Sequence, residues 1–324
     1  MLKNALLLIA SLAAAAAVPS AQADDAKYPT HPIKIVVPFS AGALTDTLAR
    51  VYADQLTKRL GQPVIVENRP GSGGISAMMT MLNAPPDGYT LQMVSSAHTV
   101  NPTLFTKLPY DTLKDVSGVA LIASSPTVAV VNPKLGVKTL PQFIKLAKSK
   151  PGSMNYGSAG LGSSTHLVAE YLRKEAGIQM THVPYKGVQE AVTEVLAGRI
   201  DIAFPPVALA LPQVKAGSLV AIAQTGAQRS PMLPDVPTAQ EAGLKGFDYS
   251  IWYALLAPSK TPRPILQRLA KEVKEISAMP EIREKLSLQG VVPQDLYLDD
   301  FDRFIRKDVE KQGALVKLSG ARAD

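Results

Sequence analysis

The chain has 324 residues, a formal net charge of +7, 46% hydrophobic and 19% charged residues, and no cysteine. That length can bury one large core or two separate ones without covalent staples, and the missing cysteines exclude disulfides, thiol nucleophiles and thiolate metal sites. Basic residues are scattered among acids, and the densest run, Lys145 to Lys150, has no interleaved aromatics, so the charge carries no nucleic-acid footprint and no nucleic-acid partner is expected.

The N-terminus sets the compartment. Lys3 precedes an apolar run from Ala5 to Val18 that only Ser11 interrupts; Pro19-Ser20 breaks it, and Ala21-Gln22-Ala23 places small residues where a signal peptidase cuts. This order reads as a secretory signal peptide over residues 1–23, with Asp24 as the mature start. The run is shorter than the roughly 20 residues that cross a bilayer, and no later segment is long and apolar enough to do so.

Strand-like and helix-like patterns then alternate. Ile33 to Val37 reads as a strand, and Leu44, Leu48, Val51, Tyr52, Leu56 and Leu60 repeat with helical period. Pro63 to Val66 is a second strand, Ile75 to Leu82 a helix and Thr90 to Val94 a third strand. Val116 to Ala123 and Val128 to Val131 are apolar strands separated by Ser124-Ser125-Pro126. A helix at Leu140 to Ala147, a short strand near Asn155 and helices at Ser164 to Ala176 and Val188 to Ala197 follow. Ile200 to Phe204 and Leu219 to Ala223 are strands, and a loop punctuated by Pro231, Pro234 and Pro237 comes next. The C-terminal part holds a strand at Ile251 to Leu256 and helices at Ile265 to Ser277, Glu281 to Leu288 and Phe301 to Leu318. Such alternation predicts an α/β fold with mostly parallel sheets flanked by helices. The layout divides the mature chain into a discontinuous first lobe, residues 24–124 and 227–324, and an inserted second lobe, residues 125–226.

Four strand-to-helix loops are rich in Gly, Ser and Thr: Ser40 to Asp46, Pro70 to Gly74, Ser95 to Thr99 and Gly157 to Thr165. Free N–H groups at a helix start bind anions without Lys or Arg, and in open α/β sheets ligands sit beyond the carboxyl ends of the strands. Each Ser or Thr can equally be a helix cap; the recurrence of such loops in both lobes points to a ligand cleft. Asp46 is either a ligand contact or a first-turn acid that complements the helix dipole, and the second reading is favoured. Gly160-Leu161-Gly162-Ser163-Ser164-Thr165 approaches a dinucleotide fingerprint but lacks its third Gly, so no nucleotide cofactor is expected. There is no Gly-x-Ser-x-Gly elbow and no Walker lysine. The four histidines, His31, His98, His166 and His182, show no metal spacing and read as surface or capping residues. Neither a metal, a cofactor nor a catalytic residue is therefore expected.

These residues resemble a known family. Tyr28-Pro29 with Ile33 to Phe39, Glu67-Asn68-Arg69-Pro70-Gly71, Pro86-Asp87-Gly88-Tyr89-Thr90-Leu91 and Asn101-Pro102 with Leu108-Pro109-Tyr110-Asp111 match the Bug-type receptors, the substrate-binding components of tripartite tricarboxylate transporters. Tyr156 to Gly160, His166-Leu167, Val183 to Gly187, Gly198-Arg199-Ile200-Asp201, Phe247-Asp248, Trp252-Tyr253 and Leu256-Ala257-Pro258 extend the likeness over nearly all of the mature chain. The resemblance implies a type II periplasmic binding protein, a two-lobed Venus flytrap that closes on a di- or tricarboxylate, acidic amino acid or aromatic acid. As a monomer in the periplasm, it would deliver that ligand to a permease of one large and one small membrane subunit. It places Phe39, Ser40, Ala41, Gly42, Ala43, Thr45 and Asp46 on one side of the ligand. On the other side it places Ser158, Ala159, Gly160, Gly162, Ser163 and Ser164, with Pro205 and Pro206 as weaker candidates. The family pattern has Gly-Gly before Thr-Asp where this chain has Gly42-Ala43-Leu44, a departure that narrows the pocket or adds an apolar contact. Trp252 and Tyr253 read either as lobe packing or as sensors of closure. A sensory receptor and an exported enzyme on the same fold are the alternative readings.

Overall fold

The computed structural model describes residues 28–323; the signal-peptide reading of residues 1–23 lies outside them. Among the described residues eleven strands, numbered in chain order, build two sheets. The first sheet contains β1 (Ile33–Val37), β2 (Val64–Asn68), β3 (Thr90–Ser95), β4 (Val116–Pro126), β10 (Ser250–Pro258) and β11 (Val292–Tyr297), in the order β11-β4-β10-β3-β1-β2. The second contains β5 (Val128–Val131), β6 (Met154–Ser158), β7 (Met180–Pro184), β8 (Ile202–Ala203) and β9 (Val220–Gln224), in the order β7-β6-β8-β5-β9. Both sheets are mixed rather than mostly parallel. β1 pairs parallel with β2 and β3, and β6 with β7 and β8, whereas β4, β5, β9, β10 and β11 make antiparallel pairs.

Helices cover both faces of the first sheet. On one face α1 (Leu44–Leu60) and α8 (Arg263–Ala278) bury Leu48, Tyr52, Leu56, Leu266, Leu269 and Val273 against Ile35, Val37 and Leu91. The 3.6-residue spacing of the α1 residues makes that stripe, and Gly61 in the left-handed region ends the helix. On the other face α2 (Ile75–Leu82) and α10 (Leu298–Ser319) pack Met78, Met81, Phe301 and Ile305 on Val94, Leu121 and Trp252. Helix α5 (Ser164–Ala176) buries Leu167, Val168 and Leu172 in the main core of the second sheet. Helix α10 also reaches that core through Leu315 and Val316, as the helix Ala97–Leu104 does through Val100 and Leu104.

The chain passes between the sheets at Pro126-Thr127. Ser124, Ser125 and Pro126, read as a link in the sequence, continue β4 and pair with Trp252, Ile251 and Ser250 of β10. The return runs at Tyr249-Ser250. Within residues 227–249, which the sequence reading assigns to the first lobe, Ala239, Phe247 and Tyr249 are buried in the core of the second sheet. The Thr127 and Thr225 N–H groups cross-bond, to Thr225 Oγ1 at 3.0 Å and Thr127 O at 2.9 Å, and Thr225 exchanges two further bonds with the Tyr249 backbone. Both threonines are buried, so the two crossings are stitched together by hydroxyl and amide groups.

Register fixes which ends of the sheets face each other. Ser95 at the end of β3 is opposite Tyr253, and Trp252 is opposite Ser124, at the end of the first sheet that Pro126 leaves. Thr127 enters the second sheet beside Pro206, and β5 runs back along Ala203, which pairs with Gly157. The loops after β1, β2 and β3 and those after β6, β7 and β8 therefore all leave the sheet ends that adjoin the crossings.

Candidate functional site

The loop after β1 and the loop after β6 are built alike. In the first, Ala43 N–H donates to Ser40 O at 3.2 Å, and Asp46, in the first turn of α1, reaches back so that its Oδ2 accepts the Gly42 N–H at 2.9 Å. In the second, Ser163 N–H donates to Gly160 O at 3.2 Å, and His166, in the first turn of α5, accepts the Gly162 N–H on Nδ1 at 3.1 Å. Gly42 and Gly162 both have positive φ, +85° and +72°, which Gly adopts without the Cβ clash of other residues. Each loop thus ends in a helix N-terminus whose first amides remain uncommitted. Among the described residues, the N–H groups of Leu44, Thr45 and Asp46 have no partner, nor do those of Ser164 and Thr165. Such groups, with the positive end of the helix dipole behind them, receive anions.

The two helix starts differ in charge. Asp46 is buried, and burial alone would raise its carboxyl. Hydrogen bonds from Arg50 Nε at 3.0 Å, from Gly42 N–H and from Asn68 Nδ2 at 2.8 Å outweigh burial and hold it below the usual carboxylate range. The same Asn68 amide donates to Phe39 O at 3.0 Å, which ties the loop to β2. All three donors to the Asp46 carboxylate thus belong to the scaffold.

Under the second loop lies a stack of rings. His166 and His182 face each other with centroids 4.0 Å apart and planes 7° off parallel, and Tyr156 stacks on His182 at 4.9 Å. His182 Nε2 lies 2.6 Å from Ser158 Oγ, which itself accepts the Gly160 N–H at 3.1 Å. Glu170, one turn along α5, accepts hydrogen bonds at 2.5 Å from Tyr156 and from Arg173. Burial first, then the neighbouring His182, pushes the His166 imidazole down to about 4; burial likewise lowers His182. Reading the histidines as surface or capping groups anticipates the capping bond of His166 but not this burial. The signal is the Ser163-x-x-His166 spacing, that of a capping box with imidazole in place of Glu. His98 is buried as well, stacked on Tyr110 at 6.4 Å, and burial takes it to about 4.

The remaining expected site residues fall as follows. Ser40, Ala41 and Gly42 are exposed and Ala43 half-buried, with Thr45 buried behind them. Ser158 is buried; Ala159, Gly160, Gly162, Ser163 and Ser164 are half-buried. Ser163 Oγ donates to Gly160 O at 2.7 Å and accepts His166 N–H at 3.2 Å, an N-cap, while the Ala159 N–H is taken by Thr165 Oγ1 at 2.9 Å. Pro205 is buried, and its carbonyl accepts Val128 N–H at the crossing. Hydrogen bonds run within each loop, not between them. Each loop also exposes a large apolar side chain: Phe39 is 37% and Leu161 60% exposed. Trp252 lies elsewhere, its indole N–H on Asp308 Oδ2 at 2.8 Å and its ring edge-on to Phe301 and Phe304, as lobe packing requires. It borders a cavity of about 310 Å³ on the α10 side of the crossings that no residue of either loop lines. Among the described residues no group of His, Asp and Glu could hold a metal ion, and no helix is long and apolar enough to cross a membrane.

Comparison with known proteins gives the family and the fold. The family described as the tripartite tricarboxylate transporter family receptor matches residues 48–321. Protein BugT of Bordetella pertussis is 34% identical over 297 residues, 91% of each chain. Among solved structures, a Rhodopseudomonas palustris protein with adipate is 30% identical, with a TM-score of 0.76 over 91% of this chain and 99% of its own. A second protein from that organism, with bound malate, is also 30% identical, with a TM-score of 0.70 over 89% of this chain and all of its own.

Proposed function

The chain belongs to the tripartite tricarboxylate transporter receptor family, and from that premise we propose that it is an exported monomeric receptor that captures a small carboxylate between its lobes, leaves it chemically unchanged and delivers it to a permease of one large and one small membrane subunit. The observation that carries this reading is the matched pair of helix N-termini, with the Leu44 to Asp46 amides in one lobe and the Ser164 and Thr165 amides in the other, at sheet ends that adjoin the crossings. Charge-assisted bonds from such amides contribute about 1.5–3 kcal/mol each, so a few suffice for tight capture without a basic side chain. The bound adipate and malate of two relatives support a carboxylate as the class of ligand. The lobes divide at Pro126-Thr127 and Tyr249-Ser250, where bending at few residues lets them move as bodies.

Mass spectrometry of small molecules that co-purify with the periplasmic protein tests the reading. A carboxylic acid recovered intact after prolonged incubation is expected; an altered product would make the protein an enzyme. The same sample should give an intact mass beginning at Asp24, and Met1 retained in a membrane fraction would remove the receptor from the periplasm.

A further inference from the structure

Two histidines outside the expected ligand contacts touch the loop that supplies them. His166 Nδ1 accepts the Gly162 N–H at 3.1 Å, and His182 Nε2 meets the hydroxyl of Ser158 at 2.6 Å, the same hydroxyl that accepts the Gly160 N–H. A ring nitrogen accepts a bond only while it carries no proton, so His166 must hold its single proton on Nε2. Protonating Nδ1 would set two donors face to face and release Gly162. The ring is held by its 4.0 Å stack on His182 and by Tyr156, whose ring stacks 4.9 Å from His182 and 6.2 Å from His166. The charged groups around the pair are Glu170 and Arg173, bonded to each other.

The first lobe solves the same geometric problem with an anion. Asp46 occupies the place in α1 that His166 occupies in α5, three residues past the N-cap, and accepts the corresponding glycine amide. A carboxylate at a helix start opposes a second anion there; a neutral imidazole does not. We infer that His166 and His182 are positioning residues that hold the loop of residues 158–165 in its anion-receiving shape, His166 as an uncharged acceptor that leaves the full positive end of α5 to the ligand. This rests on the receptor reading, deepens it, and makes the second-lobe loop the stronger of the two carboxylate anchors.

Three substitutions at one position separate shape from charge. In His166→Asn the amide oxygen can replace Nδ1 without charge, in His166→Asp the acceptor is anionic, and in His166→Leu there is none. Two readouts are taken at pH 7.5: hydrogen exchange of the Gly162 amide, and calorimetric affinity for adipate, malate and benzoate. Thermal unfolding reports whether each variant keeps its fold. The Asn variant should keep both slow exchange and an affinity within about threefold of the wild type. The Asp variant should keep slow exchange but lose at least about tenfold in affinity, and the Leu variant should lose both. His182→Leu should speed Gly160 and Gly162 exchange, and His182→Gln should restore it. Equal affinity of the Asp and Asn variants overturns the charge argument even if the Leu variant fails to fold. Unchanged Gly162 exchange in a folded Leu variant overturns the positioning role. Should the wild type bind none of the three acids, the receptor reading is what fails, and the exchange measurements still decide the role of the pair.

Discussion

At Asp46 and His166 the same structural task produces opposite responses to acid. The Asp46 carboxyl is held below its ordinary value by its three donors, so its contribution is complete above the unfolded carboxylate pKa of about 3.9 and is lost as pH falls through the lower folded value. Asp46→Asn should therefore lower stability at pH 7 by about 2 kcal/mol, the scale of a charged hydrogen bond, and the gap to the wild type should close toward pH 3 in urea titrations. His166 behaves differently because the fold keeps it neutral. Its contribution is complete above the unfolded histidine value of about 6.5 and drains away as pH falls from there toward 4. His166→Asn should flatten the stability profile over that window, and a slope equal to the wild type would show that another group sets it. The place of Asp46 in a first helical turn was legible because an acid there has a ready electrostatic use. The partnership of His166 with His182 was not, because a 16-residue separation carries no periodic signal and the two rings meet only when β6 and β7 pair.

The two loop-and-helix units invite a comparison at the level of the element. An alanine at Gly42 meets nothing within 4 Å, so Gly42→Ala carries only the cost of positive φ, about 1–2 kcal/mol. At Gly162 the added Cβ would also fall 2.7 Å from Leu104 Cδ1, at the end of the helix Ala97–Leu104 in the first lobe. Gly162→Ala should thus destabilise more than Gly42→Ala in chemical denaturation, and trimming the obstacle with Leu104→Ala should bring the two glycine costs together. Equal costs in the Leu104 background and without it would deny the contact. Elements with a strong apolar period, such as α1 and α5, could be read to within a residue or two. β7 and β11 could not: both are edge strands, Met180 to Pro184 and Val292 to Tyr297, each with a proline and with half-buried and exposed residues in place of a clean alternation. The helix Val207–Lys215 was hidden by its internal Pro212. The mixed pairing of the sheets was illegible for a related reason. Strand direction is set by where the chain crosses between lobes, and β4 and β10 carry no local mark of their antiparallel course.

On the scale of the molecule the crossings and α10 decide what can move. Thr127, Thr225 and Tyr249 tie the crossings together, and α10 rests on both cores, so in the proposed trap the bending falls on few residues near the crossings. Ligand should compact the protein in small-angle scattering, and profiles that coincide at saturation and without ligand would leave the trap without its motion. What kind of ligand holds it shut follows from the two anchors and their surroundings. In the proposed trap a dicarboxylate places one carboxylate on each helix start and bridges the lobes, whereas a monocarboxylate satisfies one and leaves the other amides to water. Forfeiting two charge-assisted bonds costs about 3 kcal/mol, more than a hundredfold in affinity. Phe39 and Leu161, exposed on the two loops, add a preference for an apolar spacer over a hydroxylated one, since a spacer hydroxyl beside them would be stripped of water without gaining a partner. Thermal shift distinguishes these cases, because ligand at a hundred times its Kd adds about 2.7 kcal/mol of stability. Adipate is expected to stabilise the protein more than malate, malate more than benzoate, and adipamide hardly at all. An amide as effective as its parent acid would show that charge is not what the helix starts recognise. Benzoate ahead of both diacids would keep the anion site but reduce it to a single anchor, with the Ala43-Leu44 departure closing the other.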